Sequence, residues 1–273
     1  MDSTLSRRGF LASGLGAAAG ALVAPRRSGG AAPDRFLIVN ADDLGLSPEV
    51  DRGLFEAHDA GIVTSASLLV DGPNAEAAIQ QVRQRPKLGI GIHVSFDDRG
   101  KLFTDMQDLP AVQQQIDRQL AAFIRMVGSP PDHIDSHHHM HRLFNVARLF
   151  LAAGRRYNVP VRGFSDVVFV GRFYGQPEFG KTDQTKISVE VMVAMLRAVK
   201  PGVTEISCHP GYAEARPDAI YNREREVELQ TLTDEQVKKT ISEEGIRLIS
   251  YRDYNRMSRE ARYVVRSAQV RSG

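Results

Sequence analysis

From Arg35 to Ser250 the chain alternates short apolar runs with stretches of helical spacing, and no other feature restricts its fold as much. Apolar runs bounded by turn residues read as strands buried on both faces, and strands separated by a helix return parallel to one another. The runs are RFLIVN (35–40), IVTSASLLV (62–70), KLGIGIHV (87–94), PDHIDSH (131–137), VPVRGF (159–164), VTEISC (203–208) and IRLIS (246–250). Between them, Ser47-Pro48 has the form of a helix cap followed by proline in the first turn, and Pro73 opens a second helix. Apolar residues at helical spacing mark 109–127, and further helices are expected over 145–157, 187–199 and 233–245. Residues 165–185, rich in glycine and aromatics without clear period, read as a long loop over one face. The pattern predicts an irregular (β/α) barrel of about seven strands, in one domain over residues 33–273. An open doubly wound sheet that binds nucleotide fits less well: NADDLGLS, after the first strand, offers carboxylates where a phosphate needs amides.

In a parallel barrel every strand C-terminus opens onto the same face. This chain places Asp42-Asp43, His93, Asp135-Ser136-His137 and His209 at four such ends. Five of its eight histidines fall between His133 and His141, so at least two imidazoles share one space whether that segment is extended or helical. Imidazole is a common ligand for Zn, Mn, Fe or Ni. Two adjacent buried aspartates repel one another; a divalent cation relieves this for one and leaves the other free as a base. The bland reading of the same pair is a turn or helix cap before Gly45 and Ser47. His93 alone would be a hydrogen-bonded core residue, and its place on the shared mouth is what makes it a ligand candidate. His209, before Pro210-Gly211, reads equally as a general acid or as a turn histidine.

Composition excludes several classes. A formal net charge of +2 with 25% charged residues offers no concentrated basic face for nucleic acid. Cys208 is the only cysteine, so no internal disulfide forms, and it reads as a small buried side chain. Ser6-Arg7-Arg8-Gly9-Phe10-Leu11 and the weakly apolar stretch to Ala24 resemble a twin-arginine export signal. Residues 1–32 are therefore expected to be signal and linker, and the mature protein periplasmic or extracellular. The apolar stretch is shorter than the ~20 residues of a membrane span, so no stable membrane anchor is expected.

Taken in order, LIVNADDLGLS, GIVTSASLLV, LGIGIHVSF, HIDSHHHMH and ISCHPGY resemble the YdjC-like carbohydrate deacetylases. The resemblance runs from Phe36 to Tyr212 and implies a (β/α) barrel with a divalent metal, Mg first and Zn or Mn as alternatives. Carried over by position, it implies Asp43, His93 and His137 as metal ligands, Asp42 as catalytic base and His209 as the acid or an orienting group. Arg162, ending VPVR, is expected to contact substrate. The substrate implied is an acetylated sugar on an oligosaccharide or glycolipid, cleaved to acetate and an amine; a homodimer is compatible with this reading. Two competitors are a metal-dependent phosphoester hydrolase, which would favour a basic anion site at the mouth, and an exported metal- or sugar-binding protein without turnover. The retained Asp42, which a metal alone would not need, argues against the latter.

Overall fold

The computed structural model describes residues 34–98, 101–178, 180–215 and 221–258. The expected export segment lies outside them. Seven strands form one parallel sheet: β1 (Arg35–Leu44), β2 (Ser65–Leu68), β3 (Gly89–Val94), β6 (Ile134–Ser136), β7 (Val168–Val170), β8 (Gly202–Cys208) and β9 (Ile246–Leu248), in the order β6-β3-β2-β1-β8-β7. Strand β9 pairs with the first residues of β1, along the edge that β2 occupies further on. A small antiparallel hairpin, β4 (Asp97–Asp98) and β5 (Lys101–Leu102), follows β3. Helices α1 (Pro48–Asp59), α2 (Ala75–Val82), α3 (Leu109–Val127), α4 (Ala147–Tyr157), α5 (Val189–Arg197), α6 (Arg223–Thr233) and α7 (Glu235–Glu243) complete the element order.

Strand alternation divides the sheet into two faces. Leu37, Val39 and Ala41 of β1 point to the main core, with Leu54 of α1 and Ile116, Leu120 and Phe123 of α3. Phe36 and Ile38 belong instead to a second cluster with Val167, Tyr251 and Tyr254, on the concave side. Beyond them on the same parity come Asn40 and Asp42, so the interior turns from apolar to polar along β1. The same parity gives Glu205 and Ser207 on β8, Ser65 and Ser67 on β2, His93 on β3 and Asp135 on β6, all buried.

The helix starts follow the sequence signals. Ser47 Oγ accepts a hydrogen bond from Val50 N at 3.2 Å, with Pro48 in the first turn, and Asp108 caps α3 from Ala111 N. The glycines of β3 serve close approach rather than a bend: a Cβ on Gly91 would lie 2.2 Å from the His133 ring. Gly53 likewise lets α1 approach the turn after β8, where a Cβ would meet Gly211 Cα at 2.5 Å.

Three expectations are corrected. VPVRGF is not a strand. It adds only a parallel bridge, Val161 to Ile134, beyond β6, because Pro160 has no N–H to extend the ladder. The expected 165–185 loop contains β7, built from the β-branched run around Phe169, and a 3₁₀ turn at Gln184–Ile187. Helix α6 was not foreseen, because the face it buries carries Glu224, Arg225 and Glu228 as well as Leu229 and Leu232.

Candidate metal centre

Asp42 and Asp43 are neighbours on one strand, and regular alternation would send them to opposite faces. The β1–β2 register shifts between Ala41 and Leu44, and Asp43 takes φ +70°. This local bulge turns both carboxylates into the mouth. A non-glycine residue in the left-handed region costs ~1–3 kcal/mol, and aspartate is among the side chains that tolerate it best.

Asp43, His93 and His137 converge, their ligand-capable atoms within 4.8 Å of one another. Asp43 Oδ1 lies 3.4 Å from His93 Nε2 and 3.2 Å from His137 Nδ1. It is buried and has no hydrogen-bond partner among the described residues. Its other oxygen, Oδ2, accepts from Arg225 Nη2 at 2.7 Å. On the far side of the His93 ring, Nδ1 lies 2.7 Å from Asp135 Oδ1. When Nδ1 carries the proton that this carboxylate accepts, Nε2 presents its lone pair to Asp43 Oδ1. Two acceptors then face each other unless a cation or a second proton lies between them. An orphaned buried oxygen and two ring nitrogens fit a divalent ion, which these three residues would hold.

Without a cation, a proton takes that role. Burial disfavours charged His93, but Asp135 and Asp42 outweigh burial and raise its pKa to about 10. Burial would raise the Asp43 pKa; Arg225 leads the opposing interactions, which hold it well below the usual carboxylate range.

Asp42 stands beside this cluster. Its Oδ1 accepts from Asn40 Nδ2 at 2.8 Å and Arg162 Nη2 at 2.7 Å, and its Oδ2 from Arg162 Nη1 at 2.7 Å. Burial opposes ionisation, yet Arg162 wins and lowers the pKa to about 2. His209 Nε2 is 3.9 Å from Asp42 Oδ2, and the ring is 18% exposed. Burial lowers the His209 pKa to about 4 despite both aspartates, so this imidazole is neutral at pH 7 rather than charged. Glu228 accepts from His209 N and from the Tyr221 hydroxyl. Burial raises its pKa to about 8 against those bonds.

Arg162 does not reach outward as expected. It is fully buried, donating to Asp42, to Glu205 at 2.8 Å from Nε, and lying 2.8 Å from Asp135 through Nη2. Three carboxylates surround it, and its full burial keeps it away from the solvent-facing side of the mouth. In the histidine run, His141 is buried against Ser136 Oγ at 2.8 Å, and burial lowers the pKa of His139 to about 4 and of His141 to about 3. Cys208 is a buried thiol, as expected. Sequence reasoning missed Arg225 and Glu228; their positions four residues ahead of Leu229 and Leu232 were the available signal.

A curled parallel sheet with a cation-competent Asp-His-His cluster at its strand ends defines the class: an α/β barrel-type protein with its polar site at the C-terminal mouth. Within that class the chain belongs to the YdjC-like family, whose model, "YdjC-like protein", matches residues 36–243. The chain is 31% identical over 252 residues to a protein of Geobacillus stearothermophilus named "Carbohydrate deacetylase", covering 82% of this chain and 99% of that one. A solved structure from Enterococcus faecalis V583, described as a proposed cellobiose-phosphate cleavage protein, superposes with TM-score 0.68 at 28% identity over 81% of this chain and 99% of its own. A family 4 carbohydrate esterase from Streptomyces lividans, solved with acetate, shares the fold at TM-score 0.51 and 12% identity, covering 80% of this chain and 93% of its own.

Proposed function

We propose that this protein is a metal-dependent hydrolase that removes the N-acetyl group from an acetylated sugar, releasing acetate. The observation that carries this reading is the orphaned Asp43 Oδ1 facing two imidazole nitrogens, with Asp42 and His209 beside it. The deacetylase name of the Geobacillus stearothermophilus relative supports the choice of reaction. A divalent ion held by Asp43, His93 and His137 supplies Lewis-acid polarisation of the acetyl carbonyl and a more acidic water. The resemblance favours Mg, whereas one oxygen and two nitrogen donors suit Zn or Mn better.

The chain's own groups move the proton. Asp42 Oδ2, the oxygen on the His209 side, accepts the proton of the attacking water. With a pKa of about 2, Asp42 is ionised and able to accept, but it is a weak base that passes a proton on rather than storing it. His209, neutral at the outset, takes that proton and delivers it to the departing amine nitrogen, which is a poor leaving group as an anion. Arg162, held between three carboxylates, fixes the orientation of Asp42. The same commitment weighs against phosphoester hydrolysis. Arg162 is engaged by three carboxylates and Arg225 by Asp43 and the backbone carbonyls of His209 and Tyr221, which leaves little positive charge for an anion. The Arg7-Arg8 segment supports a place for this chemistry outside the cytoplasm.

The test is acetate release from N-acetylglucosamine oligomers by metal-stripped protein restored with Mg, Mn or Zn. Acetate that appears only with added metal supports the reading. Full metal occupancy without acetate, or turnover of a p-nitrophenyl phosphodiester instead, overturns it.

A further inference from the structure

A second group of ligands lies immediately outside the first. Asp97, His137 and His138 bring one ligand-capable atom each within 4.8 Å of one another. His138 Nε2 is 3.7 Å from Asp97 Oδ2, while Asp97 Oδ1 faces Ser95 Oγ at 3.1 Å. The rings of His137 and His138 sit 3.9 Å apart, centroid to centroid. His137 is common to the inner and outer groups.

Exposure falls inward along the three histidines, while the Asp97 side chain is 4% exposed and so nearly as buried as the inner ligands. The His138 side chain is 47% exposed, that of His137 27%, and those of His93 and Asp43 2% each. Backbone geometry holds His138 in place at a cost. His138 and His139 have φ +52° and +54°, two successive non-glycine residues in the left-handed region at ~1–3 kcal/mol each. This pair of residues reverses the chain directly after His137 and leaves the His138 ring at the entrance, opposite Asp97. The inner chemistry does not use His138 or Asp97.

We propose that Asp97, His137 and His138 form an outer cation site, which captures a divalent transition metal from solvent and hands it through His137 to Asp43 and His93. Two imidazoles and one carboxylate suit Zn2+, Co2+, Ni2+ or Mn2+ better than Mg2+. Because His137 belongs to both sites, occupancy passes from one to the other. The hand-over replaces Asp97 and His138 with Asp43 and His93 around the same ion, without redox change. The proposal rests on the inner site binding a divalent ion.

Co2+ uptake by the full metal-stripped chain tests it, followed by stopped-flow absorbance and by titration to equilibrium. His138→Asn is a suitable variant because asparagine tolerates the left-handed backbone; Asp97→Asn is an isosteric second. Both are expected to load at least about tenfold more slowly and still reach the wild-type stoichiometry. His93→Asn, with the inner site disabled, is expected to keep one weaker Co2+ site, which disappears in His93→Asn/His138→Asn. Wild-type loading rates in both single variants, or no difference between His93→Asn and the double variant, overturn the outer site alone. A wild-type protein that takes up no divalent ion overturns both the outer site and the inner reading on which it stands.

Discussion

Asp42→Asn separates the chemistry of the mouth from its metal and its fold. In the wild type, Asp42 takes two Arg162 donors at 2.7 Å each, while Arg162 also reaches Asp135 and Glu205 at 2.8 Å. Asparagine keeps the shape but offers an NH2 group to one of those donors. Removing one partner of a buried ion pair costs roughly 3–5 kcal/mol when the other is left uncompensated. Here Arg162 keeps two carboxylates, and the repulsion between Asp42 and Asp135 is relieved, so the expected loss is about 1–3 kcal/mol. Its pH signature follows from the depressed pKa. The stabilisation from Asp42 is complete above the ordinary value of 3.8 and is lost as pH falls through about 2. Urea midpoints of wild type and variant should therefore converge in strong acid and separate above pH 4. Acetate release should drop ~10²–10⁴-fold at unchanged metal content. A fully metallated, folded variant that keeps more than about a tenth of wild-type turnover would refute the assignment of Asp42 as proton acceptor.

Three further outcomes are expected. Metal-free His93 holds a proton up to pH of about 10, so binding a divalent ion at Nε2 must release it. Affinity should then rise about tenfold per pH unit between roughly pH 6 and 9, and calorimetry in buffers of different ionisation enthalpy should count close to one proton per ion; pH-independent affinity would contradict it. Arg225→Met leaves buried Asp43 facing protonated His93 without the guanidinium and should destabilise the metal-free protein by about 1–3 kcal/mol, with saturating metal restoring part of the loss; an unchanged metal-free melting temperature would rule out this pairing as a source of stability. Gly91→Ala pushes a methyl group to 2.2 Å from the His133 ring and should cost about 1–3 kcal/mol, read as a lower Tm; a neutral substitution would show that His133 moves freely.

Much of the site was legible because strands have a period of two. Residues 38, 40 and 42 on β1, 205, 207 and 209 around β8, and 133, 135 and 137 around β6 keep one parity, so an acid or histidine at each end necessarily faces the same side. Parallel topology, itself read from the alternation of strand and helix, brings those ends together. The helix cap at Ser47 is a local device and was equally readable.

What the tertiary structure decided lies where local pattern and burial part company. Parity alone would turn Asp43 away from Asp42; only the bulge beside β2 and the left-handed backbone of Asp43 bring both into the mouth. Helix α6 shows weak amphipathicity in sequence, because Arg225 and Glu228 are buried by the charges and hydroxyls they meet across the fold. Arg162 looked like a substrate contact at a strand end, yet the curl of the sheet encloses it between Asp42, Asp135 and Glu205. The sequence alone determined which residues share a face, since alternation is a property of the local backbone. Which charges are paired depends on distances across the curled sheet, and those exist only once distant segments have come together.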